Sequence, residues 1–190
     1  MYRRHLLFGA AVATAFAVPA LAQTRGPAGG SAPEMGPAET THSQQTMKSG
    51  ALSLATSRLA VDKAQNPLLK QFAKFEVSEQ ETIAEIIKTM QGANGSTAEG
   101  SAPNAEAKAM IGDEGNKILD KLKSAKAGAD FDIEYVKAQI DGHQELLKIQ
   151  ETYIKSGKAR EQISVAKLAR GQVKEHLTLL DYIKSNAKKG

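Results

Sequence analysis

The fold is clearest in residues 130–156, which read DFDIEYVKAQIDGHQELLKIQETYIKS. Six side chains recur there at alternating spacings of four and three residues: Val136, Ile140, His143, Leu147, Gln150 and Ile154. This spacing places all six on one face of an α-helix, as in the core-facing seam of a helix bundle. The stretch therefore predicts a long helix that ends at Ser156 and Gly157 and needs partner helices to cover its seam.

Helical spacing of apolar residues recurs in three further stretches, and the alternation typical of strands is missing from the sequence. Asn66 followed by Pro67 marks a junction, because Asn caps a helix start and Pro fits the first turn. The apolar stripe of the next helix consists of Phe72, Phe75, Ile83, Ile86, Ile87 and Met90. The sequence predicts an all-α bundle of four long helices over 46–65, 67–91, 130–156 and 159–186, with a short extra helix over 113–125 in the crossover.

The first 22 residues have the composition of a cleavable export signal. Arg3 and Arg4 form a basic start, residues 6–18 are an apolar run, and residues 19–22 place small side chains where a signal peptidase cleaves. The run is about 13 residues, shorter than the ~20 that a membrane-spanning helix needs. We therefore expect export to the bacterial periplasm, a mature chain from Gln23 and no transmembrane segment. A tyrosine precedes the two arginines instead of the polar residue usual in twin-arginine signals, which favours the general secretory (Sec) route.

Residues 23–45 differ in composition from the rest of the mature chain. They contain Pro27, Pro33 and Pro37 among small and polar residues, with almost no large apolar side chain. Such a segment buries too little apolar surface to offset the entropy lost on ordering. We expect a flexible tether in which His42 is solvated, followed by a helical domain over 46–187.

Composition excludes several classes of chemistry. The 190 residues include no cysteine and no tryptophan, 5% aromatic residues and 4 histidines. Disulfides, thiolate metal sites and cysteine nucleophiles are therefore excluded. The formal net charge is +4, and removal of Arg3 and Arg4 with the signal lowers it to +2. Because the charge is small and the compartment is outside the cytoplasm, we expect no nucleic-acid partner.

The third and fourth long helices share a polar pattern. Gln139, His143 and Leu146-Leu147 are repeated 33 residues later as Gln172, His176 and Leu179-Leu180. The spacing places both histidines on buried stripes. Folding of the two helices about Gly157 would offset the histidines by about 7 Å along the bundle axis, at 1.5 Å per residue.

Two glutamates of the second helix interrupt its apolar seam. A carboxylate that faces two histidines across a helix bundle is a common arrangement in metal sites. The metal hypothesis is a centre of His143, His176 and Glu79 that binds divalent iron, manganese or zinc, with Glu76 as an outer candidate. Ile140 and Val173 stand three residues before the histidines, so the paired Glu-x-x-His motifs of di-metal oxidases are missing.

The alternative hypothesis is structural, and the sequence favours it. Both histidines would then be neutral core residues that form hydrogen bonds with Gln139, Gln172 or a carboxylate, and no cofactor would bind. The glutamates would reach solvent at the edge of the bundle. No catalytic residues are predicted, because no arrangement of a nucleophile with a base is present in the sequence.

Between Met47 and Ile183 the chain contains a series of short motifs: Leu59-Ala60, Lys63-Ala64, Phe72-Ala73, residues 128–132 with Tyr135, His143-Gln144 and His176-Leu177. In order and spacing they resemble an exported bacterial family, domain of unknown function 4142. The resemblance implies a ferritin-like four-helix bundle. Where the family usually has Asp-His this chain has Glu79-Gln80, and it has Ser53 and Ala55 where a Glu is frequent. Fewer nitrogen ligands imply weaker metal binding.

These observations favour a non-enzymatic helical-bundle protein of the bacterial envelope. It would act through its surface in stress tolerance or partner binding, with another envelope protein or a second copy as the partner. The alternative is a ferritin-like metal-binding protein with its centre at His143, His176 and Glu79.

Overall fold

The computed structural model describes residues 35–92 and 104–187, and this part of the chain is built from α-helices. The helices follow one another in the order α1 (Pro37–Lys63), α2 (Pro67–Met90), α3 (Asn104–Ser124), α4 (Ala129–Ser156) and α5 (Arg160–Ala187). The prediction of an all-α bundle is confirmed, and the bounds of α2, α4 and α5 agree with the predicted bounds to within one residue. The predicted export signal and the first part of the predicted tether lie outside the described residues. None of the described helices combines the length and the apolar character needed to cross a membrane.

Contacts at the helix ends show in which direction each helix runs. Asn66, between α1 and α2, donates its backbone N–H to the carboxylate of Asp132 near the start of α4. At the other end Glu39, in the first turn of α1, accepts from the backbone N–H groups of Lys158 and Ala159 just before α5. α1 and α5 therefore run in one direction and α2 and α4 in the other, and α3 is the crossover between α2 and α4.

The apolar core occupies the half of the bundle nearest the α1–α2 turn. Its largest fully buried side chains are Leu69, Phe72, Leu122, Phe131, Tyr135, Leu180 and Ile183. Toward the other end, buried polar side chains such as His42, Gln150 and Gln162 lie among apolar ones such as Ile87, Leu146 and Ile149. Apolar burial and hydrogen bonds both contribute to that part of the interior.

Part of the apolar stripe predicted for α2 lies outside the core. Phe75 is 55% exposed and Ile86 is 37% exposed, whereas Glu76 is 0% exposed and Gln80 is 6% exposed. Adjacent residues point about 100° apart on a helix, so Phe75 and Glu76 do not both face the interior, and the inward face of α2 contains Glu76. Hydrophobicity alone was therefore a wrong guide to these positions.

α1 begins at Pro37, nine residues before the predicted start. The prediction of a flexible tether is wrong from Pro37 to Gln45, and His42, which we expected to be solvated, is 2% exposed. The inward face of α1 is formed by Glu39, His42, Ser43, Thr46, Gly50, Ser53, Thr56, Ser57 and Ala60. Hydrogen bonds rather than apolar contacts order its first turns, so apolar content did not reveal them.

α3 is longer than the short helix predicted over 113–125. It begins at Asn104 and is broken at Gly112, whose φ of 75° suits glycine. The part of α3 after Gly112 ends at Ser124 and corresponds to the short helix predicted over 113–125. Lys63 of α1 donates through Nζ to the carbonyl oxygens of Leu122 and Lys123, which satisfies acceptors in the last turn of α3.

Candidate metal centre

Glu76 of α2, His143 of α4 and His176 of α5 meet in the interior of the bundle. His143 Nε2 lies 3.0 Å from His176 Nδ1. Glu76 Oε2 lies 3.4 Å from His143 Nε2 and 3.0 Å from His176 Nδ1. The side chains of Glu76 and His143 are sealed from solvent, and that of His176 is 12% exposed. Three potential ligand atoms from three helices thus form a small buried triangle.

The triangle has the dimensions of one face of a metal coordination shell. Two ligand atoms each about 2.1 Å from an ion are about 3.0 Å apart in octahedral geometry and about 3.4 Å apart in tetrahedral geometry. The observed separations of 3.0 to 3.4 Å cover that range. Imidazole nitrogens and a carboxylate oxygen suit zinc, iron and manganese. The residues present therefore fit a divalent ion of this kind.

Both histidines are oriented through the nitrogen that faces away from the triangle. His143 Nδ1–H donates to the backbone carbonyl of Gln139 at 2.8 Å, so its Nε2 presents a lone pair to the centre. His176 Nε2 lies 3.0 Å from Glu79 Oε2, which is the distance of an ion pair but not the geometry of a hydrogen bond. Metal-binding histidines are usually held in this way by a carbonyl or carboxylate.

Glu76 is oriented through one of its two oxygens. Glu76 Oε1 accepts from Ser53 Oγ at 2.5 Å and from Gln80 Nε2 at 2.8 Å. Glu76 Oε2 has no hydrogen-bond partner in good geometry, although the residue is fully buried. A buried carboxylate oxygen normally has a partner. The oxygen that faces the two histidines is therefore the one left for an ion.

The charges of the cluster are coupled. Burial alone would raise the pKa of Glu76, but the neighbouring imidazoles of His143 and His176 outweigh it and lower the pKa. Burial would lower the pKa of His176, but Glu76 and Glu79 raise it to about 9. Without an ion the cluster therefore holds an ionised glutamate beside a protonated imidazole. With both imidazoles neutral, the charge of the two glutamates matches that of one divalent cation.

A cavity of about 10 Å³ adjoins the two histidines and is also lined by Thr46, Gln80 and Gln172. It has space for about one water molecule, and its lining offers several polar partners. The cavity therefore has room for a water beside the two imidazoles.

A second polar cluster fills the interior toward the start of α1. His42 Nε2–H donates to Gln150 Oε1 at 2.7 Å, and His42 Nδ1 accepts from Gln162 Nε2 at 2.8 Å. The ring stacks on Tyr153, whose hydroxyl donates to Glu39 Oε1. The sequence analysis missed this cluster. Polar and small residues recur every three or four positions along α1, and that stripe is the pattern that predicts it.

The four predicted site residues lie together in the structure, but the inner and outer positions predicted for the two glutamates are reversed. Glu76, predicted as the outer candidate, faces the imidazoles, and Glu79, predicted for the centre, contacts only the outer nitrogen of His176. The nearest nitrogens of the two histidines are in direct contact, so their imidazoles are close enough to share one ion. Ser53 and Gln80, where the sequence departs from the family pattern and no role was predicted, both form hydrogen bonds to Glu76 Oε1.

The helix directions and the α3 crossover define a ferritin-like four-helix bundle, as predicted. The chain belongs to the family described as Domain of unknown function (DUF4142), whose model matches residues 24–183. Its fold is similar to the crystal structure of a DUF305 fragment from Deinococcus radiodurans, with a TM-score of 0.65 and 13% sequence identity over 81% of this chain and 99% of that chain. At this identity the similarity shows the fold alone. No curated protein matches the sequence.

Proposed function

We propose that this protein is a non-enzymatic metal-binding protein of the bacterial envelope that holds one divalent ion at Glu76, His143 and His176. One observation carries the proposal. His143 Nδ1 and Glu76 Oε1 form hydrogen bonds, His176 Nε2 lies beside the Glu79 carboxylate, and the three remaining ligand atoms lie within 3.0 to 3.4 Å of one another. Such a set of oriented ligands is the arrangement that metal sites require.

A purely structural cluster satisfies its acceptors less well. Neutral His143 presents Nε2 as an acceptor, because its Nδ1 hydrogen is donated to the Gln139 carbonyl. Glu76 Oε2 is an acceptor as well. The one hydrogen on His176 Nδ1 satisfies only one of these atoms, and a buried acceptor left unpaired costs about 1–3 kcal/mol. A divalent ion binds all three atoms at once, which supports the metal-binding function over the structural alternative.

The donor set narrows the choice of ion. Two imidazoles and a carboxylate favour iron(II), manganese(II) or zinc(II) over ions that prefer thiolates or oxygen alone. The adjoining cavity is large enough for a water and too small for an organic substrate. This size supports binding or storage of the ion rather than catalysis on a larger molecule.

The proposed compartment rests on residues 1–22, which have the pattern of a cleavable signal. Mass spectrometry of protein recovered from the periplasm tests it, and a mature chain from Gln23 is expected. Retention of Met1 in a membrane fraction would contradict the proposal. Replacement of Arg3 and Arg4 by Lys should leave export intact, because only twin-arginine export depends on that pair.

Elemental analysis of untagged protein tests the metal centre. The wild type and an exposed-site control, Glu175→Gln, are expected to hold about one equivalent of iron, manganese or zinc. Glu76→Gln and the double variant His143→Ala/His176→Ala are expected to hold less than about a tenth of an equivalent while circular dichroism shows retained helicity. Wild-type protein that neither contains nor takes up any of these ions would refute the proposal. Loss of stability in the variants would then assign the cluster a structural role.

A further inference from the structure

The buried cluster reaches solvent on one side. Side-chain exposure rises from 0% at Glu76 and 1% at His143 to 12% at His176 and 33% at Glu79. These residues therefore form a line from the interior to the surface between α2 and α5. The backbones of α2 and α5 approach each other at far fewer positions than those of α1 and α2 or of α4 and α5.

The other sides of the cluster are closed by protein. Phe72 packs edge-on against His176, with ring centroids 5.1 Å apart. Ser53 closes the side toward α1 through its hydrogen bond to Glu76. Among these residues Glu79 is the most exposed, and its side chain ends in a carboxyl group. A cation that approaches between α2 and α5 therefore meets the Glu79 carboxylate first.

We propose that the carboxylate of Glu79 and Nε2 of His176 form an outer pair that captures the divalent ion before it reaches the inner centre. This inference rests on the proposed metal-binding function. Glu79 Oε2 lies 3.0 Å from His176 Nε2, a separation that allows both atoms to bind one ion. The same oxygen is buried without a hydrogen-bond partner in good geometry, so it is free to bind a cation.

The imidazole of His176 links the outer pair to the inner centre, because each of its nitrogens faces one of them. On the outer pair the ion takes the lone pair of Nε2, and Nδ1 keeps its hydrogen toward Glu76. In the inner centre the ion takes the lone pair of Nδ1, and Nε2 carries the hydrogen toward Glu79. Passage of the ion inward therefore releases the Nδ1 proton to solvent and takes one proton from solvent at Nε2, on the partly exposed side of His176, so the charge of the ring is the same in both positions.

Rapid mixing of the full chain with Co²⁺ tests the outer pair, because the visible absorbance of bound Co²⁺ reports both uptake and release into excess EDTA. Glu79→Gln keeps the size of the side chain and an oxygen atom, and it removes the charge. We expect its association rate constant to fall about tenfold or more, as loss of a steering charge does. Its dissociation rate constant should fall as well, because the ion leaves by the same route. Glu175→Gln removes an exposed charge next to His176 and should leave both rate constants within about twofold of wild type.

The change in the dissociation rate of Glu79→Gln distinguishes capture of the ion by Glu79 from a role in which Glu79 only orients His176. If Glu79 only orients His176, Glu79→Gln leaves the association rate unchanged or accelerates release, and either result would overturn the inference. An equal loss of association rate in Glu175→Gln would also overturn it, since the effect would then belong to the general field of the surface. Failure of the wild type to bind Co²⁺ at equilibrium would overturn the proposed function together with the outer pair.

Discussion

Replacement of Glu39 by Gln tests whether the first turns of α1 belong to the folded bundle. Glu39 Oε1 accepts from Tyr153 Oη at 3.0 Å and from the backbone N–H groups of Lys158 at 2.8 Å and Ala159 at 3.2 Å. These contacts join the start of α1 to the α4–α5 turn, more than a hundred residues away in sequence. Gln has nearly the same shape and keeps an acceptor oxygen, so the substitution mainly removes the negative charge.

The magnitude follows from the pKa of this carboxyl group. The backbone N–H of Lys158 is the main cause that holds the pKa of Glu39 at about 2, below the ordinary value of 4.5 and despite burial. This difference corresponds to about 3 kcal/mol, at about 1.4 kcal/mol per pKa unit. That figure is an upper bound, because Gln keeps an oxygen that can accept the same hydrogen bonds. We expect the charge to contribute about 1–2 kcal/mol to the free energy of unfolding at neutral pH.

The sign of the pH dependence is set by the lowered pKa. Because Glu39 binds a proton less readily in the folded state, its contribution is complete above about pH 4.5 and is lost as the pH falls through about 2. Urea unfolding followed by circular dichroism should show a less stable Glu39→Gln variant at neutral pH and a smaller difference from wild type in acid. Glu145→Gln, at an exposed position of α4, is the control and should match the wild type. Equal stability of Glu39→Gln and wild type at neutral pH would refute the docking of residues 37–45 through this carboxylate.

Leu180→Ala is expected to cost about 2–5 kcal/mol in urea unfolding because Leu180 is 0% exposed, whereas Leu168→Ala, at a side chain 76% exposed, should stay within about 0.5 kcal/mol. Asn66→Ala should cost about 1 kcal/mol, since its side chain accepts two backbone N–H groups in the first turn of α2; an unchanged midpoint would contradict this capping role. Gly112→Ala should cost about 1–2 kcal/mol in the same assay, because the φ of 75° is strained for alanine although the side chain has space. Burial lowers the pKa of His42 from 6.5, so its unfolded form binds protons more readily and wild-type stability falls below about pH 6.5; His42→Gln should flatten that part of the pH profile of the unfolding midpoint.

Both histidines of the candidate site were predictable from the sequence, and their partners were less so. His143 and His176 occupy seam positions of long periodic helices, so in any helix bundle they face the interior. The order of Glu76 and Glu79 was not predictable, because the two residues lie about 60° apart on α2 and both border its apolar stripe. A modest rotation of α2 about its axis decides which carboxylate faces the imidazoles. In the structure Glu76 faces inward, and its carboxylate accepts a hydrogen bond from Ser53.

The first turns of α1 also show which features the sequence predicts and which depend on the tertiary structure. Residues 37–45 contain little to bury, so composition predicted disorder, but partners from α4 and α5 satisfy Glu39 and His42 there. Sequence alone determined the four long helices, their junctions and the inward direction of the histidines, because helical periodicity and capping are local properties of the chain. Tertiary structure alone decided which polar groups meet, since the rotation and axial register of each helix depend on the packing of all the helices together. A hydrogen bond or a metal ligand requires agreement within a few tenths of an ångström, and that agreement exists only after the helices have packed.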